Sequence, residues 1–159
     1  MFPLIIVIGV IIIVFNLRGI RKESQTFNAI LNKENIEIKE KRPPDEPNEA
    51  QIKTILDAEG EKILSSIPQG AYKIALCVEG KQKSSEELAK TIQDITLNGK
   101  SSFVFIIGSS FGLSPEIKKL SDSKLSFSPM TFPHQLMRVM LLEQIYRAFQ
   151  INTNGKYHK

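Results

Sequence analysis

Three features of this 159-residue sequence predict a single-domain α/β fold, a mainly parallel sheet with helices on both faces. Strand-like runs alternate with helical stretches along the chain. Two of those runs, Ala71 to Val78 and Ser102 to Ile107, are apolar without alternation, as strands buried on both faces are. Turn and cap residues separate the elements: Pro68-Gln69-Gly70, Asn98-Gly99 and Ser114-Pro115. The length suits one hydrophobic core. Apolar and charged fractions of 42% and 24% exclude a wholly disordered chain.

The first apolar run, Phe2 to Phe15, is rich in Ile and Val and reads as a central buried strand, with a break near Gly9. As a helix it would extend only about 21 Å, short of a hydrocarbon core of about 30 Å. No small-residue cleavage site follows it, so a secretory leader is not expected. Arg18, Arg21 and Lys22 flank the run as they would a membrane anchor, and that alternative stays open. Gly19 to Asn32 reads as a loosely amphipathic helix. Ile36 and Ile38 alternate with charged residues, a half-exposed strand. Lys41 to Pro47 is a loop by its prolines and charge. Glu49 to Ser66 is helical, with Ile52, Ile55, Leu56 and Ile63 at helical spacing.

Ala71 to Val78 follows as a strand, then a helix opened by a Ser84/Glu87 capping box and closed by Asn98-Gly99. Ser102 to Ile107 is the next strand. Ser114 caps a short helix with Pro115 and Glu116 in its first turn. Leu125 and Phe127 make a short strand, and Pro133 opens the last helix.

Charge is unevenly placed. Residues 1–100 carry equal numbers of basic and acidic side chains, so the net charge of +4 arises in residues 101–159, where only Glu116, Asp122 and Glu143 are acidic. A local positive field suits a phosphate-bearing partner, although a scatter of surface charge explains it equally well. Cys77 is the only cysteine, which excludes an internal disulfide and a thiolate zinc cluster. In an apolar run it behaves as a small hydrophobe. A reducing, cytoplasmic setting is compatible with it.

Three segments follow strand ends: Glu79-Gly80-Lys81, Gly108-Ser109-Ser110-Phe111-Gly112-Leu113, and Phe127 to Phe132. Beyond the carboxyl ends of parallel strands they can share one pocket. The glycine loop lacks the Lys-Ser/Thr of a phosphate-binding loop and the spacing of a dinucleotide fingerprint. The order from Phe103 onward resembles the RlmH family of SPOUT-class methyltransferases: strand, glycine loop, short helix, Ser126-Phe127-Ser128-Pro129-Met130-Thr131-Phe132-Pro133-His134, long helix, and Gly155-Lys156-Tyr157-His158-Lys159. The resemblance is close from about Ile52 to Lys159. It implies a single SPOUT domain over 1–159, with a cofactor-binding trefoil-knot region at about 71–159. It also implies an S-adenosylmethionine-dependent enzyme that methylates the ring nitrogen N3 of a pseudouridine in large-subunit (23S) rRNA, on the assembled ribosome, as a homodimer. The cofactor residues carried over are Leu76, Gly108, Phe127, Ser128, Pro129, Met130, Thr131 and Phe132. The chain departs from the family's pattern at Ser109, Phe111 and Val10.

On the last helix, Leu136, Leu141, Leu142, Ile145 and Phe149 form a broad apolar arc, with Glu143, Gln144, Arg147 and Gln150 opposite. The arc is wider than one core face requires, as a dimer's would be. Arg138 lies inside it, either tethering a neighbouring element or facing RNA or cofactor carboxylate. His134 and His158 are the only histidines, and an imidazole can accept the proton that a pseudouridine nitrogen releases. The tail reads as a frayed end on general grounds, but the resemblance closes it on the active site. His134, Arg138, Tyr157 and His158 are therefore the candidate catalytic residues, with no metal. Two other readings remain: an RNA-binding relative with weakened catalysis, and a membrane-anchored protein of unrelated role.

Overall fold

The computed structural model describes residues 9–16, 35–39 and 44–157. The first part of the apolar run, the helix expected over Gly19 to Asn32, His158 and Lys159 lie outside these residues. The described elements are β1 (Gly9–Asn16), β2 (Asn35–Lys39), α1 (Glu49–Ser66), β3 (Tyr72–Gln82), α2 (Ser85–Leu97), β4 (Ser102–Ile107), α3 (Pro115–Leu120), β5 (Ser123–Ser126) and α4 (His134–Asn152).

One five-stranded sheet has the order β2-β1-β4-β3-β5. β3 runs parallel to β4 and to β5, which is the portion that carries the strand-end loops. β1 takes the interior position expected of it, between β2 and β4, but runs antiparallel to both. The sheet is thus parallel around the loops and antiparallel on the β1 side.

The unbroken apolar sequence of β4 is explained by helices on both faces. Phe103, Phe105 and Ile107 enter a core with Ile74, Leu76, Leu88, Ile92, Leu141 and Ile145 from β3, α2 and α4. Val104 and Ile106 point the other way, into a core with Ala75, Ile63 and Ile117 from β3, α1 and α3. Phe103 and Phe105 are fully buried, and truncating either to alanine should cost about 3–5 kcal/mol.

Helix starts follow their caps. Asn48 forms a reciprocal capping box with Gln51 at α1, and Ser84 does so with Glu87 at α2. Ser114 accepts from the Ile117 N–H at α3. Three details differ from expectation. β3 continues to Gln82, and β5 ends at Ser126, before Phe127. Gln150, expected on the outer side of α4, is buried at 3% exposure beside the Gly155 turn, whose N–H donates to the Gln150 carbonyl at 2.7 Å.

Asp122 ties β5 to β3. It accepts from the Lys73 N–H at 2.7 Å, its own N–H donates to the Lys73 carbonyl at 2.9 Å, and Lys73 Nζ lies 3.0 Å away. Burial pushes the Asp122 carboxyl up, but the Lys73 N–H and ammonium outweigh it and hold the group below its ordinary value. Asp122→Asn should therefore lower the urea midpoint at neutral pH. A depressed folded-state pKa contributes stability above the unfolded value of about 3.9, and that contribution disappears as pH falls through the folded value. Urea titrations across pH should show the two proteins converging in acid. A gap that widened there would contradict this role.

Candidate active site

A cleft of about 680 Å³ opens at the carboxyl ends of β3, β4 and β5, within the size range of small-molecule sites. Leu76, Ile107 and Leu125, one apolar residue from each of the three strands, form part of its lining. The rest comes from residues 77–79, the 108–113 loop, Lys118 of α3, and the segment leading into α4.

The β3 side of this cleft is shaped by a bulge. Leu76 and Lys81 both pair with Leu125 of β5, so residues 77–80 bow out between them. Gly80 makes this possible. A Cβ there would lie 2.5 Å from the Leu125 carbonyl carbon and 2.8 Å from its nitrogen and oxygen.

The second wall is a turn closed on itself. The Ser109 N–H donates to the Gly112 carbonyl at 3.1 Å, and the Gly112 N–H donates back to Ser109 at 2.8 Å. Gly112 has φ +82, a conformation that favours glycine. Gly108 is needed for closeness, because a Cβ would overlap the Gly112 backbone and lie 2.5 Å from its carbonyl oxygen. Ser109 is buried and avoids positive φ, so a serine fits this turn. The third wall is braced by serines. Ser126 Oγ donates to the Ser128 carbonyl at 3.1 Å, and the Met130 N–H donates to Ser128 Oγ at 3.0 Å.

Of the residues named from sequence, Leu76, Gly108, Phe127, Ser128, Met130, Thr131, Phe132 and His134 line this cleft together. Pro129 is exposed and is not among the lining residues. Arg138 faces β2 instead, with Nη1 3.5 Å from Glu37 Oε1, so within this chain it tethers a neighbouring element. Tyr157 lies on α4. Its hydroxyl donates to Glu143 at 3.1 Å, Arg147 sits 4.9 Å over its ring, and Tyr146 meets it edge-on at 5.0 Å. His158 is outside the described residues. The 77–80 bulge also brings in Cys77 and Glu79, and α3 brings in Lys118. The strand-end position of Glu79 was visible in sequence, but its meeting with Lys118 was not.

Burial, then the charge of Glu79, pushes the Cys77 thiol above its ordinary value. Lys118, then the backbone N–H of Glu79, holds the Glu79 carboxyl below its own. Among the described residues, no three His, Cys, Asp or Glu side chains gather as a metal site would require. A ligand without phosphate suits this lining, which offers apolar strand ends and close-set backbone in place of a phosphate cradle.

Parallel strands ending in one cleft, walled by a tight glycine turn and a braced segment, define an α/β domain built to bind a small molecule beyond its strand ends. The chain matches the family described as "Predicted SPOUT methyltransferase" over residues 3–158, and it belongs to that family. It is 47% identical over 141 residues to Ribosomal RNA large subunit methyltransferase H of Streptococcus thermophilus (strain CNRZ 1066), covering 89% of each chain. Against the protein of that name from Clostridioides difficile (strain 630) it is 46% identical over 155 residues, 98% of each chain. The Bacillus pumilus (strain SAFR-032) relative of the same name is 47% identical over 142 residues, 89% of each.

The two loop glycines should respond differently to alanine. Gly108→Ala forces the turn open and should lower melting temperature and ligand affinity together. Gly112→Ala meets open space and should cost only the strain of its φ, about 1–2 kcal/mol. Thermal melts that ranked the two in the opposite order would refute this account of the turn.

Proposed function

We propose that this chain transfers a methyl group from S-adenosylmethionine to N3 of a pseudouridine in large-subunit (23S) rRNA, on the assembled ribosome in the cytoplasm. The observation that carries the reading is the convergence of Leu76, Gly108 and most of residues 127–132 on one cleft. The relatives are named as ribosomal RNA large subunit methyltransferases, which supplies the substrate class.

The division of labour follows from the lining. Strand ends and backbone would hold the adenosine end of the donor, leaving the opening of the cleft to the target base. The donor supplies an electrophilic methyl group, so alignment of donor and acceptor contributes much of the rate. His134 is at the first turn of α4 and on the cleft lining, and in this reading it is the group that takes the proton from the base.

Assembly as a homodimer is part of the proposal. On α4, Leu136 and Val139 are 48% and 62% exposed one turn apart, and Met130 before the helix is 70% exposed. Apolar side chains so placed suit a second copy. Among the described residues no helix is long and apolar enough to cross a membrane, and residues 9–16 of the first apolar run form a sheet strand.

Labelled methyl transfer to ribosomes lacking the modification tests the reaction, and absence of transfer from a donor-binding protein would favour the RNA-binding alternative. Deleting Lys156 to Lys159 should cripple transfer while sparing donor affinity, with a shallower salt dependence of ribosome association. Full-rate transfer by the truncated protein would make the tail an ordinary end. Light scattering at micromolar concentration should give dimer mass, and a monomer would contradict the assembly.

A further inference from the structure

Among the described residues, Glu79 and Lys118 are the only oppositely charged pair on the cleft lining. Lys118 Nζ lies 2.5 Å from Glu79 Oε1, and both side chains line the cleft. They come from different elements. Glu79 sits in the bulge of β3, and Lys118 is on α3, immediately after the glycine turn. The bulge exists only because Gly80 lets β3 approach the Leu125 backbone. A pair formed this way has been placed on the cleft by the fold, unlike a chance meeting of long surface side chains.

An exposed ion pair adds little to stability, and these side chains are 27% and 54% exposed. Its position at the cleft therefore calls for a ligand-directed role. An ammonium carries three donors and a carboxylate about four acceptor sites, so mutual contact leaves each with capacity for a further partner. The net charge of the pair is zero. A simple anion would be attracted by Lys118 and repelled by Glu79, and a simple cation the reverse. A zwitterion, with one ammonium and one carboxylate a few bonds apart, satisfies both at once.

We propose that Glu79 and Lys118 are the specificity-determining pair for the amino-acid end of the methyl donor, with Lys118 meeting its α-carboxylate and Glu79 its α-ammonium. This rests on the donor reading of the cleft and deepens it. The rest of the lining, strand ends and backbone, takes the adenosine, and the ion pair selects nucleosides that carry a zwitterionic tail.

Calorimetry with four probes tests the pair: S-adenosylmethionine, S-adenosylhomocysteine, decarboxylated S-adenosylmethionine and 5′-methylthioadenosine, which lacks the amino-acid end. Lys118→Met and Glu79→Gln should each weaken S-adenosylhomocysteine about tenfold or more, as loss of a charge-assisted hydrogen bond does. 5′-Methylthioadenosine should change by less than about twofold, the scatter allowed for a group that is not contacted. Decarboxylated donor should be insensitive to Lys118→Met. The double variant with charges exchanged, Glu79→Lys with Lys118→Glu, separates recognition from support: it rebuilds the ion pair, so it should keep the natural melting temperature without restoring affinity. Recovery of affinity in that variant would overturn the proposal, as would equal loss for all four probes. If Glu79→Gln weakened S-adenosylmethionine but not S-adenosylhomocysteine, Glu79 would be reading the sulfonium, which also overturns it. A natural-sequence protein that bound none of the probes would instead defeat the donor reading itself.

Discussion

Leu125 of β5 is opposed by two residues of β3, Leu76 and Lys81, and the cleft depends on that double pairing. An ordinary strand would carry its side chains past the sheet edge in alternation and leave no wall. Here four residues are forced out of register, and the ladder resumes on the far side. The constraint resides in backbone, because Gly80 sits against the Leu125 peptide where no Cβ fits. The bulge supplies Cys77 and Glu79 to the lining and brings Glu79 to Lys118. Loss of that close approach would remove the wall and the ion pair together, while leaving the sheet's parallel core in place.

β4 imposes the complementary constraint. With both faces buried under helices, it has no lateral surface on which chemistry can occur, so function is confined to its end. The chain leaves β4 through the Gly108 turn, whose two backbone hydrogen bonds hold it closed. Rigidity there matters for a methyl donor. A turn held by backbone hydrogen bonds cannot relax by changing rotamers, and such a wall would help to hold a donor in one orientation.

Much of the fold was legible because its signals are local. The capping box at Ser84, the Ser114 cap, the turn at Asn98-Gly99, and the unbroken apolar run of β4 each determine structure within a few residues. The direction of β1 was not legible: a Val/Ile-rich strand fits either orientation, and only its partners decide. Gln150 was placed outside by helical spacing, yet the Gly155 turn folds back over it and covers it. For the site, Leu76, Gly108 and most of residues 127–132 gathered at strand ends where the parallel topology leads, whereas Pro129 and Tyr157 did not join that lining. Glu79 with Lys118 required the bulge, a pairing between residues 39 positions apart that no sequence window contains. Arg138 was flagged for lying in an apolar arc, and its partner, Glu37, was equally remote.

The charges around the cleft also favour binding over proton transfer as its main task. Glu79 is held ionised by Lys118 and is therefore a poor proton acceptor compared with an unpaired carboxylate. The Cys77 thiol is pushed the other way by burial and remains protonated at neutral pH, too weak a nucleophile to compete for an electrophilic methyl group. Methyl donors alkylate thiolates readily, so a neutral thiol on the lining protects the slot from self-modification. Both shifts follow from the same bulge, which buries Cys77 partway and carries Glu79 to its lysine. Cys77 and Glu79 are thus kept in protonation states that do not compete for a methyl group.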